Sequence, residues 1–336
     1  MFREAAQAAV VVREQLRLNE RTLTTLAKHL RASPPRAVVT LGRGSSDHAA
    51  TFARYLIETR LGIMAASGAP SVSSIYEASP GMDATLCLAI SQSGRSPDLL
   101  AAAEAAARAG ALVVALVNDA SSPLAEIAEV VAPLHAGPEL SVAATKTYIA
   151  SLTSIAQLVA LWTEDAPLLV ALEGLPELLE RAWALDWSAA VPRLKGFDGL
   201  YVVGRGVGFA VAQEAALKFK ETCGVHAEAF SAAEVMHGPM ALVGPGFPVF
   251  VFAQDDETRD GVEDVVEACV AQGAEVIKVG GVAQPGVFRL PSLDAHPLLE
   301  PIAYALSFYR LVNALALARG YDPDRPPHLA KITETT

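Results

Sequence analysis

The segment LCLAISQSGRSPDLLAAAEAAARAG, residues 86–110, shows most clearly how this chain folds. A short apolar run ends abruptly in a turn of serine, glutamine and glycine, and a stretch with helical spacing follows. A buried strand that leads through a tight turn into a helix is one βα unit of a parallel sheet. The apolar run ALVVALVN at 111–118 follows at once and predicts the next strand.

The same alternation extends towards the N-terminus. The β-branched run AVVTLG at 37–42 precedes GSSDHAATFARYLIE at 44–58, which has helical spacing. The N-terminal segment is also helical in pattern and ends at the breaker ASPPR at 32–36. Strands that alternate with helices of this length predict an α/β fold with a doubly wound parallel sheet.

The second half of the chain repeats the first. Gly42-Arg43-Gly44 falls on Gly204-Arg205-Gly206, and at the same offset the segment around Gln92 falls on the segment around Gln254. Two motifs at one offset predict two tandem copies of one α/β domain. We expect an N-terminal helical segment at 1–32, a first domain at 33–165, a linker at 166–192, a second domain at 193–320 and an irregular tail at 321–336.

The two copies differ at the turn that follows the apolar run LCLAI of the first copy. The first copy has serines and a glycine at four positions where the second copy has an alanine, two aspartates and a threonine. In chain order, Ser91, Ser93, Gly94 and Ser96 are replaced by Ala253, Asp255, Asp256 and Thr258. Two carboxylates would repel an anion, so only the first copy keeps a turn suited to one.

Composition limits the ligand and the setting. Hydrophobic residues make up 52% of the 336, which is enough for sizeable cores, and the net charge of −11 argues against nucleic acid. Three scattered cysteines without a CxxC pair suggest a reduced, cytoplasmic setting without a structural zinc site. The apolar stretch at 141–163 contains Lys146 and Gln157, and we interpret it as a buried amphipathic helix and not as a membrane span.

Two turns of the first copy predict a phosphate site. Ligands of open parallel sheets lie beyond the carboxyl ends of the strands, where helix N-termini present free N–H groups. Gly44, Ser45 and Ser46 begin one helix, and Ser91, Gln92, Ser93 and Ser96 precede another. A serine N-cap alone explains one such cluster but not two. Neither turn is a Walker loop, so a phosphorylated small molecule fits better than a nucleotide.

Acid–base candidates lie in the second copy. Glu214, Lys218 and Glu221 are spaced i, i+4 and i+7 and share one helical face, which alone would be typical of a solvated charged stripe. A His-Gly-Pro turn at His237 follows nearby, with His226 interpreted as structural. A carboxylate and an imidazole could move protons on a sugar phosphate. Lys331, in the Pro-rich tail, could form a Schiff base if that tail folds over a site.

Several motifs together resemble the tandem sugar isomerase (SIS) domain family, and most of all the isomerase half of glucosamine-6-phosphate synthase. The resemblance covers about residues 33–336 and is carried by ISQSGRS, SVAATKTY, ALKFKETCGVHAEAF, EVMHGPMALV and HLAKITET. It implies two three-layer, flavodoxin-like SIS domains. It also implies an enzyme that acts on a sugar phosphate without a metal or redox cofactor.

The resemblance also implies roles for individual residues. The two turns would hold the sugar phosphate, with Val142 beside it. Glu221 would move a proton between C1 and C2, with Lys218 one turn before it. His237 would open the sugar ring from the neighbouring subunit of a homodimer, and Lys331 would form an imine with a keto sugar.

Two departures from the synthase pattern affect the expected reaction. The sequence begins MFREAAQ, without a glutaminase domain as an ammonia source, and Ala144 stands where the family has a serine. Stand-alone chains of this kind resemble the deaminases of the family. We therefore expect glucosamine 6-phosphate and water to give fructose 6-phosphate and ammonia.

Three alternatives remain open on the sequence. The chain could be a deglycase that releases an amino acid, a plain aldose–ketose isomerase, or a non-catalytic sugar-phosphate sensor. A sensor needs the phosphate turns but not Glu221, His237 and Lys331, all of which are present.

Overall fold

The structure is a computed structural model that describes residues 1–78, 80–329 and 331. The chain divides into two compact units that are discontinuous in sequence. The first unit contains residues 8–139 and 146–174 with Leu329 and Lys331, and the second contains residues 1–7, 140–145 and 175–328. The domain boundaries expected from the sequence were consecutive segments, and they stay a prediction.

The chain begins with two helices, α1 (Phe2–Ala5) and α2 (Ala8–Ala32), and α2 ends just before Pro34. The first unit then carries a five-stranded parallel sheet in the order β2-β1-β3-β4-β5. Its strands are β1 (Ala37–Leu41), β2 (Ala65–Ser67), β3 (Thr85–Ser91), β4 (Leu112–Val117) and β5 (Val130–Pro133). Its helices are α2, α3 (Ser45–Leu61), α4 (Pro70–Ser74), α5 (Pro97–Arg108), α6 (Pro123–Ile127), α7 (Lys146–Thr163) and α8 (Ala166–Glu173), whereas α1 belongs to the second unit.

The second unit repeats that sheet. Its strand order β7-β6-β8-β9-β10 is the order of the first sheet when the strands are counted from the start of each copy. The strands are β6 (Gly199–Gly204), β7 (His226–Ser231), β8 (Pro248–Ala253), β9 (Glu275–Gly280) and β10 (Val287–Leu290). The helices are α9 (Leu175–Ala184), α10 (Val191–Leu194), α11 (Val207–Cys223), α12 (Ala232–Val235), α13 (Arg259–Ala271) and α14 (Glu300–Ala318).

The predicted α/β fold is confirmed, with helices on both sides of each parallel sheet. The repeat extends to the ends of equivalent helices. Helix α3 lies between Gly44 and Gly62, and α11 lies between Gly206 and Gly224, at the offset that relates the two Gly-Arg-Gly turns. Gly62 and Gly224 are left-handed, with φ of 66° and 63°, a conformation that glycine adopts without a Cβ penalty.

Helix α7 differs in extent from the apolar stretch predicted at 141–163. It begins at Lys146, because residues 140–145 belong to the second unit. It is buried nearly all round, Lys146 and Gln157 included, so it is a core helix and less amphipathic than expected.

Within the described residues, one helix has the length and apolar composition of a membrane span. This helix is α14, and 78% of its apolar window is buried inside the second unit.

An aromatic cluster fills one face of the second sheet. Phe250 on β8 lies 5.2 Å from Phe252, 5.8 Å from Phe308 on α14 and 6.0 Å from Phe219 on α11, measured between ring centroids. All four rings are fully buried. Tilted and edge-on aromatic contacts at these separations add to the stability from burial of the rings.

We predict that Phe250→Ala lowers the free energy of unfolding by about 3–5 kcal/mol, because it leaves a cavity between two packed layers. Phe288→Ala is the matched control, since Phe288 is only half-buried on the edge strand β10. Urea unfolding followed by circular dichroism and fluorescence measures both. An equal, small loss for the two variants would contradict a tightly packed aromatic cluster.

Candidate functional site

The turn after β3 in the first unit is fixed by its own backbone. Gly94 has φ of 64°, and its N–H donates to Ser91 Oγ at 2.9 Å. Its carbonyl accepts from the N–H of Leu124 at 3.2 Å. A Cβ at Gly94 would lie 2.2 Å from Ser122 Oγ, so any side chain there would displace the turn.

Helix α5 begins directly after this turn. Its N-cap residue, Ser96, has an extended backbone, and its hydroxyl makes no capping hydrogen bond. A serine N-cap ordinarily bonds to the N–H groups of the first turn, so simple capping does not account for this residue. Gln92, Ser93 and Ser96 are half-buried, while Ser93 Oγ accepts from the N–H of Arg95 at 3.3 Å. Polar side chains at the N-terminus of a twelve-residue helix suit an anionic ligand.

An ion pair joins this turn to the turn after β1. Arg43 donates from Nε and Nη2 to Asp98 Oδ2, at 2.9 Å and 2.6 Å. Asp98 is buried at the start of α5, so the arginine balances a carboxylate that would otherwise oppose an anion there. The side chain of Arg43 is 54% exposed. The sequence marks Arg43 only as part of the repeated Gly-Arg-Gly turn, and a pair so far apart in the chain gives no local signal.

The turn after β1 leads into α3 as predicted from the sequence. Gly44 is the N-cap, and Ser45 and Ser46 are the first two helical residues. A Cβ at Gly42 would lie 2.8 Å from the backbone of Ser46, so this position requires a glycine. Beside the turn is a cleft of about 320 Å³, lined by Gly42, Arg43, Gly44, Asp47, Ser67, Gly68, Ala69 and Pro70.

The equivalent turn in the second unit is filled by its own side chains. Gln254 Nε2 donates to Arg205 O at 2.7 Å, and to Asp256 Oδ2 and Thr258 Oγ1 at 3.0 Å. Asp256, the counterpart of Gly94, also accepts from the backbone N–H of Thr258 at 2.8 Å. Gln254 is 1% exposed, whereas its counterpart Gln92 is half-buried. This turn therefore uses the amide nitrogen of Gln254 internally and adds the carboxylate of Asp256, which disfavours an anion.

Helix α11 carries the acid–base candidates, and it brings three of them together as the spacing predicts. Lys218 Nζ lies 3.2 Å from Glu214 Oε1 and 2.7 Å from Glu221 Oε2. Tyr309 on α14 donates its hydroxyl to Glu214 Oε1 at 2.9 Å. Lys218 and Glu214 are 1% exposed, so the face is no solvated stripe.

The lysine between the two glutamates stays charged. Burial disfavours its ammonium, but the attraction of Glu214 and Glu221 outweighs this effect and raises the pKa of Lys218 above its ordinary value. Glu214 is sealed inside the unit, whereas the side chain of Glu221 is 19% exposed. Glu221 is thus the carboxylate of this network that can reach a ligand.

The two histidines of the second unit that the sequence singled out lie at its surface. His237 is exposed in the turn after α12, where its backbone N–H donates to Glu234 O at 3.0 Å and Gly238 has φ of 133°. Its exposed neighbours include two large apolar side chains, Met236 and Leu242. His226, interpreted as structural, is exposed at the first position of strand β7.

The remaining two candidates belong to different units. Val142 is half-buried in the segment 140–145 of the second unit, and its N–H donates to Asp324 O at 3.5 Å. Lys331 belongs to the first unit, where its Nζ lies 3.9 Å from the buried carboxylate of Glu139. Glu139 was not predicted as a site residue, because a single glutamate in a loop belongs to no recognisable sequence motif.

Within residues 1–78, 80–329 and 331, no group of three or more His, Cys, Asp or Glu side chains could hold a metal ion. The three cysteines are free and buried. Burial raises the pKa of the Cys87 thiol to about 12, and that of Cys223 and Cys269 to about 11.

Comparison with known proteins gives a consistent result. The profile of the SIS domain matches residues 33–161 and 197–284. The glutamine–fructose-6-phosphate aminotransferase [isomerizing] of Aeropyrum pernix is 37% identical over 316 residues, which are 87% of this chain and 50% of that protein. The chain thus spans about half the length of the curated relatives it matches.

Solved structures extend the likeness to the whole fold. A proposed phosphosugar isomerase from Silicibacter pomeroyi DSS-3 is 43% identical with a TM-score of 0.92, over 96% of this chain and 99% of that one. A glucosamine-6-phosphate deaminase from Thermotoga maritima has a TM-score of 0.79 at 21% identity, over 99% of both chains. The second likeness shows the fold alone.

We predict that Gly94→Ala lowers the free energy of unfolding by about 1–3 kcal/mol, because the new Cβ meets Ser122 and the residue has positive φ. Gly81→Ala, in the same unit, is the matched control, since nothing lies within 4 Å of its Cβ position. Its effect should stay within about 0.5 kcal/mol. Denaturant unfolding of both variants provides the measurement, and equal stabilities would show that the turn tolerates a side chain.

We predict that Lys218→Met destabilises the protein by about 3–5 kcal/mol, because it leaves the buried carboxylate of Glu214 without its cation. Lys220→Met on the same helix should change little, since Lys220 is exposed. The double variant Lys218→Met with Glu214→Gln should recover most of the loss. A double variant no more stable than Lys218→Met would mean that the buried charge is not the cause.

Proposed function

Because the chain belongs to the SIS domain family, we propose that it converts a phosphosugar between its aldose and ketose forms and releases an amine. The substrate we propose is glucosamine 6-phosphate, which with water gives fructose 6-phosphate and ammonia. The observation that carries this proposal is the partly exposed Glu221, held at 2.7 Å by the buried Lys218. A carboxylate fixed in this way is suited to move a proton between two neighbouring carbons.

The phosphate group of the substrate is assigned to the two turns of the first unit. The polar residues at the start of α5 and the balanced Arg43–Asp98 pair support this assignment. In the second unit, Gln254, Asp256 and Thr258 occupy the equivalent turn, so we assign no phosphate there. A phosphate held by fixed groups would orient the sugar carbons, which lowers the entropic part of the barrier.

We assign the chemical steps by the family pattern. His237 would open the pyranose ring. Glu221 would remove the proton from C2 of the open-chain amino aldehyde and return it at C1, while one proton passes from the nitrogen on C2 to the oxygen on C1, which gives a 2-imino ketose. Water would then hydrolyse the imine at C2, so that ammonia leaves and fructose 6-phosphate remains. Lys331 would form an imine with the keto sugar. Glucosamine 6-phosphate and water together contain the same atoms as fructose 6-phosphate and ammonia, so the overall reaction needs no oxidant or reductant.

The amino sugar is supported by the relatives. The curated proteins that match are named as glutamine–fructose-6-phosphate aminotransferases [isomerizing], a name that combines fructose 6-phosphate, the transfer of an amino group and an isomerisation. The name of the Thermotoga maritima protein includes the deaminase reaction itself, although the likeness to it is one of fold. A plain isomerase, a deglycase and a sensor are the other outcomes of the experiment below.

We also propose that the protein works as a homodimer in the cytoplasm, with His237 contributed to the neighbouring subunit. The exposure of His237 beside the apolar Met236 and Leu242 supports such an interface. The three free thiols are compatible with a reducing compartment. Sedimentation of the purified protein as a monomer would count against the shared histidine.

We predict that the purified protein releases ammonia and fructose 6-phosphate in equal amounts from glucosamine 6-phosphate. Glu221→Gln should reduce turnover by about 100-fold or more, because it removes the base, while the affinity for fructose 6-phosphate stays close to that of the parent. Coupled enzymatic assays measure the two products, and calorimetry measures the affinity. Glu267→Gln, an exposed glutamate on α13, is the control for loss of one charge.

The alternatives give different results in the same assay. A deglycase releases an amino acid and a hexose phosphate only from a phosphorylated glycated amino acid, and a plain isomerase acts on hexose phosphates alone. A sensor binds the sugar without turnover in either the parent or Glu221→Gln. Absence of both products from glucosamine 6-phosphate would overturn the proposed substrate.

A further inference from the structure

A buried carboxylate lies in the first unit between β5 and α7. The side chain of Glu139 has no exposed surface, although the loop around it lies near the surface of the unit. Thr147 in the first turn of α7 donates to it twice, from Oγ1 to Oε2 at 2.6 Å and from its backbone N–H to Oε1 at 3.3 Å. The N-terminus of an eighteen-residue helix adds a partial positive charge in the same direction.

The lysine assigned to imine formation lies against this carboxylate. Lys331 Nζ is 3.9 Å from Glu139 Oε2, and the side chain of Lys331 is 27% exposed. The ammonium group of Lys331 therefore lies against the interior of the unit, while part of the lysine side chain stays accessible to solvent. Charge at a fully buried carboxylate is costly unless a cation and hydrogen bonds compensate it, so the pair fixes where the lysine nitrogen sits.

We propose that Glu139 is a positioning residue for Lys331, and that it stabilises both the ammonium and the iminium that this lysine forms with the keto sugar. This inference rests on the proposed function, because it requires Lys331 to react with a ketose phosphate. In this role Glu139 acts through Lys331 and not on the reacting carbon. Its role is to keep one negative charge beside the lysine nitrogen throughout the step.

The charge balance of imine formation explains why a fixed carboxylate helps. The nitrogen passes two of its three ammonium protons, in turn, to the carbonyl oxygen of the sugar. A carbon–nitrogen bond forms, the carbon–oxygen bond breaks, and the oxygen leaves as water. The iminium nitrogen keeps one proton and the same positive charge, so Glu139 faces a cation before and after the reaction. At 3.9 Å the two groups form an ion pair, so it is the attraction between their charges that persists through the step.

The test is reductive trapping of the full-length protein. Fructose 6-phosphate and cyanoborohydride convert the iminium into a stable secondary amine, which peptide mass spectrometry locates at Lys331. Glu139→Gln keeps the shape of the side chain and the contact with Thr147 but removes the charge. We expect its trapping rate to fall about tenfold, as for the loss of the attraction in one partly buried ion pair. Glu126→Gln, an exposed residue of the same unit, should trap at the parental rate.

Conservative replacement separates positioning from a purely structural role. Glu139→Asp keeps the charge and should trap faster than Glu139→Gln even where the two unfold at the same temperature. If Glu139→Gln does not fold, Glu139→Asp and Thr147→Val still test the idea, because each should lower trapping by displacing the carboxylate. Equal trapping at Lys331 in the parent and in the folded Glu139 variants overturns the inference. No adduct at Lys331 in the parent also overturns it, whereas release of ammonia decides the proposed function separately.

Discussion

The pairing of the first strand of each copy with the third is the constraint on which the functional features of both units depend. In the first unit β1 pairs with β3, and in the second β6 pairs with β8, each in parallel. The chain leaves these neighbouring strands towards opposite ends of the sheet, so the turns that follow them diverge and open a crevice at the carboxyl edge. What each unit can bind there depends on the side chains that the two turns place in that crevice.

The equivalent crevices of the two units contain different side chains. In the first unit, Gly94 lets the turn pack tightly against Ser122 without adding a charge, and the hydroxyl of Ser96 makes no capping hydrogen bond to its own helix. In the second unit, Asp256 replaces that glycine, and Gln254 bonds across the turn. One duplicated scaffold thus keeps a turn suited to an anion in one copy and closes it in the other. The second copy carries the Glu214–Lys218–Glu221 network on the helix after its own first turn.

The sequence predicted the repeated architecture well, because its signals are local. Short segments are enough to show the periodicity of strands and helices and the two Gly-Arg-Gly turns at their constant offset. The glycines that end helices α3 and α11, Gly62 and Gly224, are separated by the same offset. The face shared by Glu214, Lys218 and Glu221 was also predictable, since it needs only the geometry of one helix.

What could not be predicted depends on contacts between segments far apart in the chain. The Arg43–Asp98 pair, the carboxylate of Glu139 beside Lys331 and the filling of the second turn by Gln254 form only when the sheet is assembled. The inclusion of residues 1–7 and 140–145 in the second unit has the same origin. The local sequence pattern does not predict these contacts, because each side chain interacts with residues that are distant in the chain.

The most direct test of this account is a crystal structure of the protein with fructose 6-phosphate bound. The account predicts one phosphate per chain, with its oxygens at the turn formed by residues 91–96 and the start of α5, and none at the turn formed by residues 254–258. A phosphate bound at the second turn, or one that makes no contact with residues 91–96, would contradict it.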